Sequence, residues 1–281
     1  MIVVRTVADL RAALRERRAG SIGLVPTMGA LHEGHATLLR AARNADDTVV
    51  MTIFVNPAQF NEQSDLAAYP RTEDADLALA EAEGVDVVFA PDASEIYPDG
   101  FATRVSVSGP IAETLEGAER GRAHFDGVAT VVTKLLLAAL PDHAYFGAKD
   151  AQQVAVIRRF VADLGIPVTL VVCPTSRDAD GLARSSRNTR LSPDERAQAL
   201  AIPHALQEVT DASAAGIADT EALRARAFAT LEASGIRPEY VAFVDPITFA
   251  PAAVVDGPVL VAIAARVGST RLIDNTVLGG A

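Results

Sequence analysis

Ile22-Gly23-Leu24-Val25 runs directly into Pro26-Thr27-Met28-Gly29-Ala30-Leu31-His32-Glu33-Gly34-His35, and a helical pattern continues to about residue 44. The apolar run reads as a strand and the remainder as a turn opening a helix, which places two imidazoles at a strand-to-helix junction. The first N–H groups of a helix have no partner within it and lie at the positive end of its dipole, so such a junction suits a phosphate. His32 and His35 are three apart, share one face of that first turn, and can add donors. Gly29, Ala30 and Gly34 let a nucleotide approach the backbone closely. Taken alone, a His-x-x-His pair reads more simply as polar capping. Zinc is weaker still, because the metalloprotease spacing is His-Glu-x-x-His and Glu33 is the one short-range carboxylate.

Outward from this junction, short apolar runs alternate with helical patterns. Residues 22–27, 48–55, 85–90, 144–147 and 168–173 read as strands, several of them β-branched and nearly continuous, as strands buried on both faces are. Helical patterns cover 33–44, 73–83, 127–139 and 151–164. This alternation predicts an α/β fold with a doubly wound, parallel, Rossmann-like sheet, whose ligands bind beyond the carboxyl ends of the strands. Near residue 175 the character changes. Polar turn residues lead into alanine-rich helical stretches at 192–215 and 220–234, and strands at 241–244 and 259–265 follow. The reading is a first domain over 1–174 and a smaller α+β domain over 175–281, hinged near 174–176.

Composition narrows the function. At 281 residues the chain fits one large and one small domain. A formal net charge of −11 without a dense basic run argues against a nucleic-acid partner. The single cysteine, Cys173, excludes an internal disulfide and a cysteine-rich metal site, and reads as a small buried hydrophobe at a strand end. No run reaches the roughly 20 apolar residues of a membrane span, and the first residues lack a leader-like pattern, so a cytoplasmic protein with no membrane partner is expected.

The ten residues from Pro26 resemble the HIGH-type signature of the nucleotidyltransferase superfamily, in the form typical of the pantoate–β-alanine ligase family. Four further stretches match the same family in order: Phe54-Val55-Asn56-Pro57-Ala58-Gln59-Phe60; Tyr69-Pro70-Arg71-Thr72; Phe146-Gly147-Ala148-Lys149-Asp150-Ala151-Gln152-Gln153; and Asp180-Gly181-Leu182-Ala183-Arg184-Ser185-Ser186-Arg187-Asn188. The resemblance implies ATP-dependent joining of (R)-pantoate to β-alanine through an acyl adenylate, with magnesium accompanying ATP, and a homodimer. It implies an ATP site from Met28 to His35 with Gly147, Ala148, Lys149, Asp150, Ser176, Arg184, Ser185, Ser186 and Arg187. His35, His32, Lys149 and Arg187 are then the catalytic set, Gln59 and Gln153 the pantoate amides, and Asp76 the candidate for the metal.

The chemistry is consistent with those residue types. Joining a carboxylate to an amine in water needs the acid activated, and adenylation supplies AMP as leaving group. The protein must hold a triphosphate and stabilise charge at the α-phosphorus, a task of positioning and electrostatics. Asp150 reads equally as the N-cap of the following helix. Arg184-Ser185-Ser186-Arg187 occupies the place of a mobile, cationic phosphate loop. Four positions depart from the family pattern: Ala148 for a glutamate, Ala75 for an acid, Leu79 for a polar residue and Arg184 for an aliphatic one. Around Glu119–Phe125 the chain is one residue longer, leaving open whether Arg120 or Arg122 faces the site. Two other readings stand beside the ligase: a nucleotide-binding relative that has lost the chemistry, and a transferase that keeps AMP in its product.

Overall fold

The computed structural model describes residues 1–61 and 63–280. They form two compact units, one of Met1–Ala148 with Val156–Pro174, the other of Lys149–Ala155 with the residues from Thr175 onward. The sequence reading left Lys149–Ala155 with the first domain. The structure ties them to the second through Lys149, whose carbonyl accepts from Asn275 Nδ2 at 2.8 Å.

The first unit is built on a six-stranded sheet. Its strands are β1 (Ile2–Val4), β2 (Ile22–Val25), β3 (Thr48–Thr52), β4 (Val87–Phe89), β5 (His143–Gly147) and β6 (Thr169–Cys173). All pairings are parallel, in the order β1-β4-β3-β2-β5-β6. Every residue of β2, β3 and β4 is buried, which is why these strands read as continuous apolar runs and not as alternating ones. β2 has β3 on one side and β5 on the other, so the strand order reverses there and opens a crevice beyond its carboxyl end. The helix Glu33–Ala45 follows β2 and buries Ala36, Leu39 and Ala42, spaced by three, with Leu39 and Ala42 against a core containing Val25, Val49, Met51 and Val88. Leu39 is fully buried there, and cutting it to alanine would cost about 2–5 kcal/mol. β1 was not anticipated; it is a three-residue strand at the sheet edge with Ile2 and Val3 exposed, too short for a periodic signal.

At the amino ends of β2 and β5 lies a buried polar cluster. Asp46 receives the Tyr145 hydroxyl at 2.6 Å and pairs with His143 Nδ1 at 2.7 Å. Gly23 packs against that carboxylate, and a Cβ there would overlap it. Burial, reinforced by Asp46, pushes the Tyr145 phenol up.

The second unit carries an antiparallel sheet of β7 (Pro238–Val244), β8 (Val259–Val267) and β9 (Thr270–Leu278), in that order. Helices Pro193–Ala199, Ala201–Ala214 and Thr220–Ala233 pack Leu206, Val209, Leu223 and Leu231 onto Phe243, Val261 and Ile263. The expected single helix over 192–215 is two, divided at Leu200. Pro203 stands in the first turn of the second and has no N–H for the carbonyl of Ala199. β9 was missed because Arg271, Asp274 and Asn275 interrupt its apolar pattern. It pairs through a two-residue turn, Gly268-Ser269, with Gly268 at φ 55°. The architecture is therefore α/β, a doubly wound parallel sheet with a smaller α+β unit.

Candidate functional site

The turn after β2 is held by its own side chains. Thr27 Oγ1 donates to the Thr52 carbonyl at 2.5 Å and accepts from the Gly29 N–H at 3.2 Å. Gly29 and Ala30 then take positive φ, 79° and 51°, turning the chain sharply. The next two N–H groups are received by one carboxylate: Ala30 donates to Asp76 Oδ2 at 3.0 Å and Leu31 to Oδ1 at 2.7 Å.

His32 and His35 cap the helix reciprocally. Gly34 N–H donates to His32 Nδ1 at 3.1 Å, and His32 N–H to His35 Nδ1 at 3.2 Å, with ring centroids 4.2 Å apart. An imidazole nitrogen that accepts carries no proton, so in both rings the N–H is at Nε2. The sequence suggested main-chain N–H groups as the anion donors. The structure corrects this for Gly29, Ala30, Leu31, His32 and Gly34, whose N–H groups already have acceptors in the protein. The turn's remaining donors are on its side chains, the imidazoles of His32 and His35 among them.

Asp76 does not suit the metal role expected of it. It is 2% exposed, and its two oxygens take two main-chain N–H groups and the Thr72 hydroxyl at 3.2 and 3.3 Å. Among the described residues no group of three His, Cys, Asp or Glu could hold an ion. Of the departures nearby, Leu79 packs against the first unit's core and Ala75 is exposed.

Gln59 sits in a single 3-10 turn, Pro57–Gln59, after β3. Its Nε2 donates to Met28 Sδ at 3.1 Å and its Oε1 accepts from Asn56 Nδ2 at 3.0 Å, so this amide and the HIGH-type turn are brought together. Asn56, 1% exposed, was not singled out in the sequence. It also donates to the Gly127 carbonyl at 3.1 Å and accepts the Tyr97 hydroxyl at 2.7 Å. Burial pushes that phenol up to about 12, keeping it a donor. Gly127 faces the turn so closely that a Cβ would overlap the Ala58 carbonyl and stand 2.8 Å from Gln59 N. Arg120 is engaged by Glu116 at 2.9 Å and Arg122 is exposed; the residue of this stretch that reaches the Gln59 turn is His124, with Nδ1 2.8 Å from its carbonyl.

In the second unit Lys149, Ser185 and Arg187 line one cavity with Leu182, Asn188 and Arg271. Lys149 is mostly buried, and its ammonium lies 3.9 Å from the half-exposed carboxylate of Asp150. Ser185 caps the 3-10 helix Ser186–Arg190 by accepting from Arg187 N–H at 3.3 Å. Asn188 holds the Ala183 carbonyl at 3.0 Å, and its own Oδ1 is buried without a hydrogen-bond partner, a condition that protein interiors rarely leave unused. Arg184 points elsewhere than a phosphate ligand would: it donates to Asp178 at 2.8 Å and to Ser176 Oγ at 3.4 Å. Arg177 makes a two-pronged pair with the buried Asp274, at 2.6 and 3.0 Å. The expected mobile loop is thus tethered on both flanks. Gln153 is half-buried in the first turn of the helix Ala151–Asp163, and Gln152 beside it is buried.

The family model described as pantoate-beta-alanine ligase matches residues 2–277. A pantothenate synthetase of Roseiflexus sp. strain RS-1 is 52% identical over 279 residues, covering 99% of both chains. The structure of a pantothenate synthetase from Thermus thermophilus superposes with a TM-score of 0.92 at 46% identity, covering 98% of this chain and 99% of that one. A pantoate-beta-alanine ligase from Francisella tularensis, complexed with beta-gamma ATP and beta-alanine, superposes with a TM-score of 0.81 at 34% identity, covering 99% and 97%. With a match along nearly its whole length and half its residues shared with such relatives, the chain belongs to the pantoate–β-alanine ligase family.

Proposed function

We propose that this protein joins (R)-pantoate to β-alanine with cleavage of ATP, by way of pantoyl adenylate. A pantoate carboxylate oxygen attacks the α-phosphorus of ATP, the bond to the β-phosphate oxygen breaks, and pyrophosphate leaves. The amine of β-alanine, having given up a proton, then attacks the acyl carbon and AMP departs. The observation that carries this reading is the pair of imidazoles locked with Nε2–H as donor at the sheet's switch point. Such donors stabilise charge developing on phosphate oxygens without reorganising during the reaction.

His35, His32, Lys149 and Arg187 would serve the phosphates, with Ser185, Ser186 and Gly147-Ala148 as nucleotide contacts. Gln59 and Gln153, each able to donate and accept, would hold the pantoate hydroxyls and carboxylate. Magnesium enters as part of the nucleotide substrate, as suits an ion that keeps phosphate oxygens and waters in its shell. The ligands bound in the Francisella relative support the ATP and β-alanine assignments. A homodimer in the cytoplasm completes the reading; among the described residues no helix is long and apolar enough to cross a membrane.

The test is pyrophosphate release from ATP and magnesium with (R)-pantoate, with and without β-alanine, while AMP and pantothenate are followed by mass spectrometry. Release that needs pantoate, with AMP and pantothenate appearing once β-alanine is added, is the expected result. No pantoate-dependent release from folded protein would overturn it.

A further inference from the structure

We propose that Asp76 is a positioning residue that sets the geometry of the ATP-binding turn through the Ala30 and Leu31 N–H groups, and is not an ion ligand. The proposal rests on the functional reading above for its kinetic consequences, but its structural basis is independent of it.

Asp76 lies in the first turn of the helix Glu73–Ala82, where its own N–H donates to the Thr72 carbonyl at 2.9 Å. Thr72, the residue before that helix, does not use its hydroxyl as a cap; it turns it onto both Asp76 oxygens. A carboxylate 2% exposed requires donors, and it receives three from two sequence-distant segments. In return it holds Ala30 at φ 51°, a conformation that a residue with a Cβ adopts at a cost. The fit leaves no slack, since a Cβ at Gly29 would stand 2.9 Å from Asp76 Oδ2. Leu31 leads directly to His32, so the turn fixes where the two-imidazole cap begins.

Asparagine at this position tests the assignment, because one oxygen becomes an NH2 group that cannot accept. Either Ala30 or Leu31 N–H then faces a donor, and the turn relaxes. The expected loss in kcat/KM for ATP is about 10- to 100-fold, the range for leaving a buried donor unpaired. KM for pantoate should change far less. Thr72→Val, which removes one donor to the same carboxylate, should move the same parameters in the same direction by less, and supplies the comparison if Asp76→Asn folds poorly. Pyrophosphate release would be measured for both variants at low and at tenfold higher free Mg2+. Amide hydrogen exchange at Ala30 and Leu31 would be followed in ligand-free protein.

Faster exchange at those two amides, with an ATP defect that added Mg2+ does not relieve, supports the positioning role. Restoration of Asp76→Asn by Mg2+ would show an ion ligand and overturn it. So would wild-type exchange at both amides in the folded variants. Should the wild-type protein release no pantoate-dependent pyrophosphate, the functional reading falls while the exchange rates still decide the role of Asp76.

Discussion

Asn275 Nδ2 donates to the main-chain carbonyl of Lys149 at 2.8 Å, so β9 fixes a residue just ahead of the helix Ala151–Asp163. Its neighbour Asp274 accepts from Arg177 and from the Asn275 N–H at 2.8 Å, joining loop and strand in one network. Asn275→Ala should therefore raise KM for ATP about fivefold, the worth of one ordinary hydrogen bond, with little change in KM for pantoate. Steady-state kinetics with each substrate varied would check this. Equal changes in both would mean that Asn275 merely supports the fold.

His35→Ala should lower the rate of pantoate-dependent pyrophosphate release by about 10²–10³, the usual consequence of losing one preorganised donor to a transition-state oxyanion. Near-normal release would remove His35 from the catalytic set. His32→Ala should also loosen the helix start, because the acceptor of the Gly34 N–H disappears with the ring.

Gln59→Ala should raise the pantoate requirement far more than the ATP requirement. Asn56→Ala should reproduce that bias through the freed Gln59 amide, and lower stability by about 1–3 kcal/mol for the buried partners left unpaired. Denaturant midpoints alongside the kinetics would separate the two effects.

Gly127→Ala is expected to be more damaging than a surface methyl ever is. The new Cβ would collide with main chain at Ala58 and Gln59, which has no rotamer with which to yield. A pantoate defect like that of Gln59→Ala, with a lowered melting temperature, is the outcome to look for; wild-type values for both would show that the turn can shift freely.

Acid stability has a named contributor in the second unit. Burial alone would raise the Asp178 carboxyl, but the hydrogen bonds from Arg196 and Arg184 outweigh it and hold the group below its ordinary value. A folded-state value below the unfolded one, about 3.9, means that this stabilisation is fully present above it and lost as pH falls through the folded value. Denaturant midpoints between pH 2 and 6 should thus fall less steeply for Asp178→Asn than for the wild type, and parallel curves would remove Asp178 from the account.

Where the sequence carried strong periodicity it was readable. The strands β2, β3 and β5 and the helix Glu33–Ala45 announce themselves because burial on both faces or on one stripe leaves an unbroken pattern, and the edge strand β6 was legible from its β-branched apolar run. The HIGH-type turn was legible because its small residues and two histidines are contiguous. What the sequence did not disclose is which partners these side chains take, several of them far along the chain. Asp76 reaches Ala30 and Leu31 from a different helix, Asn56 orients Gln59 and ties it to Gly127, and Asn275 reaches Lys149. No local pattern signals an acceptor aimed at a main-chain N–H dozens of residues away. β9 was hidden by the same polar residues, Asp274 and Asn275, that make it useful. At Arg184 the motif is legible but the side chain's partner is not: the fold pairs its guanidinium with Asp178.

The reciprocal cap of His32 and His35 has a consequence for which form of the nucleotide the protein prefers. Rings that must keep Nδ1 as an acceptor are neutral, so this pair recognises phosphate by direction and not by countercharge. On a chain of net charge −11, a highly charged anion arriving bare meets donors but little compensation from them. Under the proposed function the compensating charge falls to Lys149 and Arg187 and to a metal ion carried by the nucleotide, so ATP should bind more weakly when divalent cations are withdrawn.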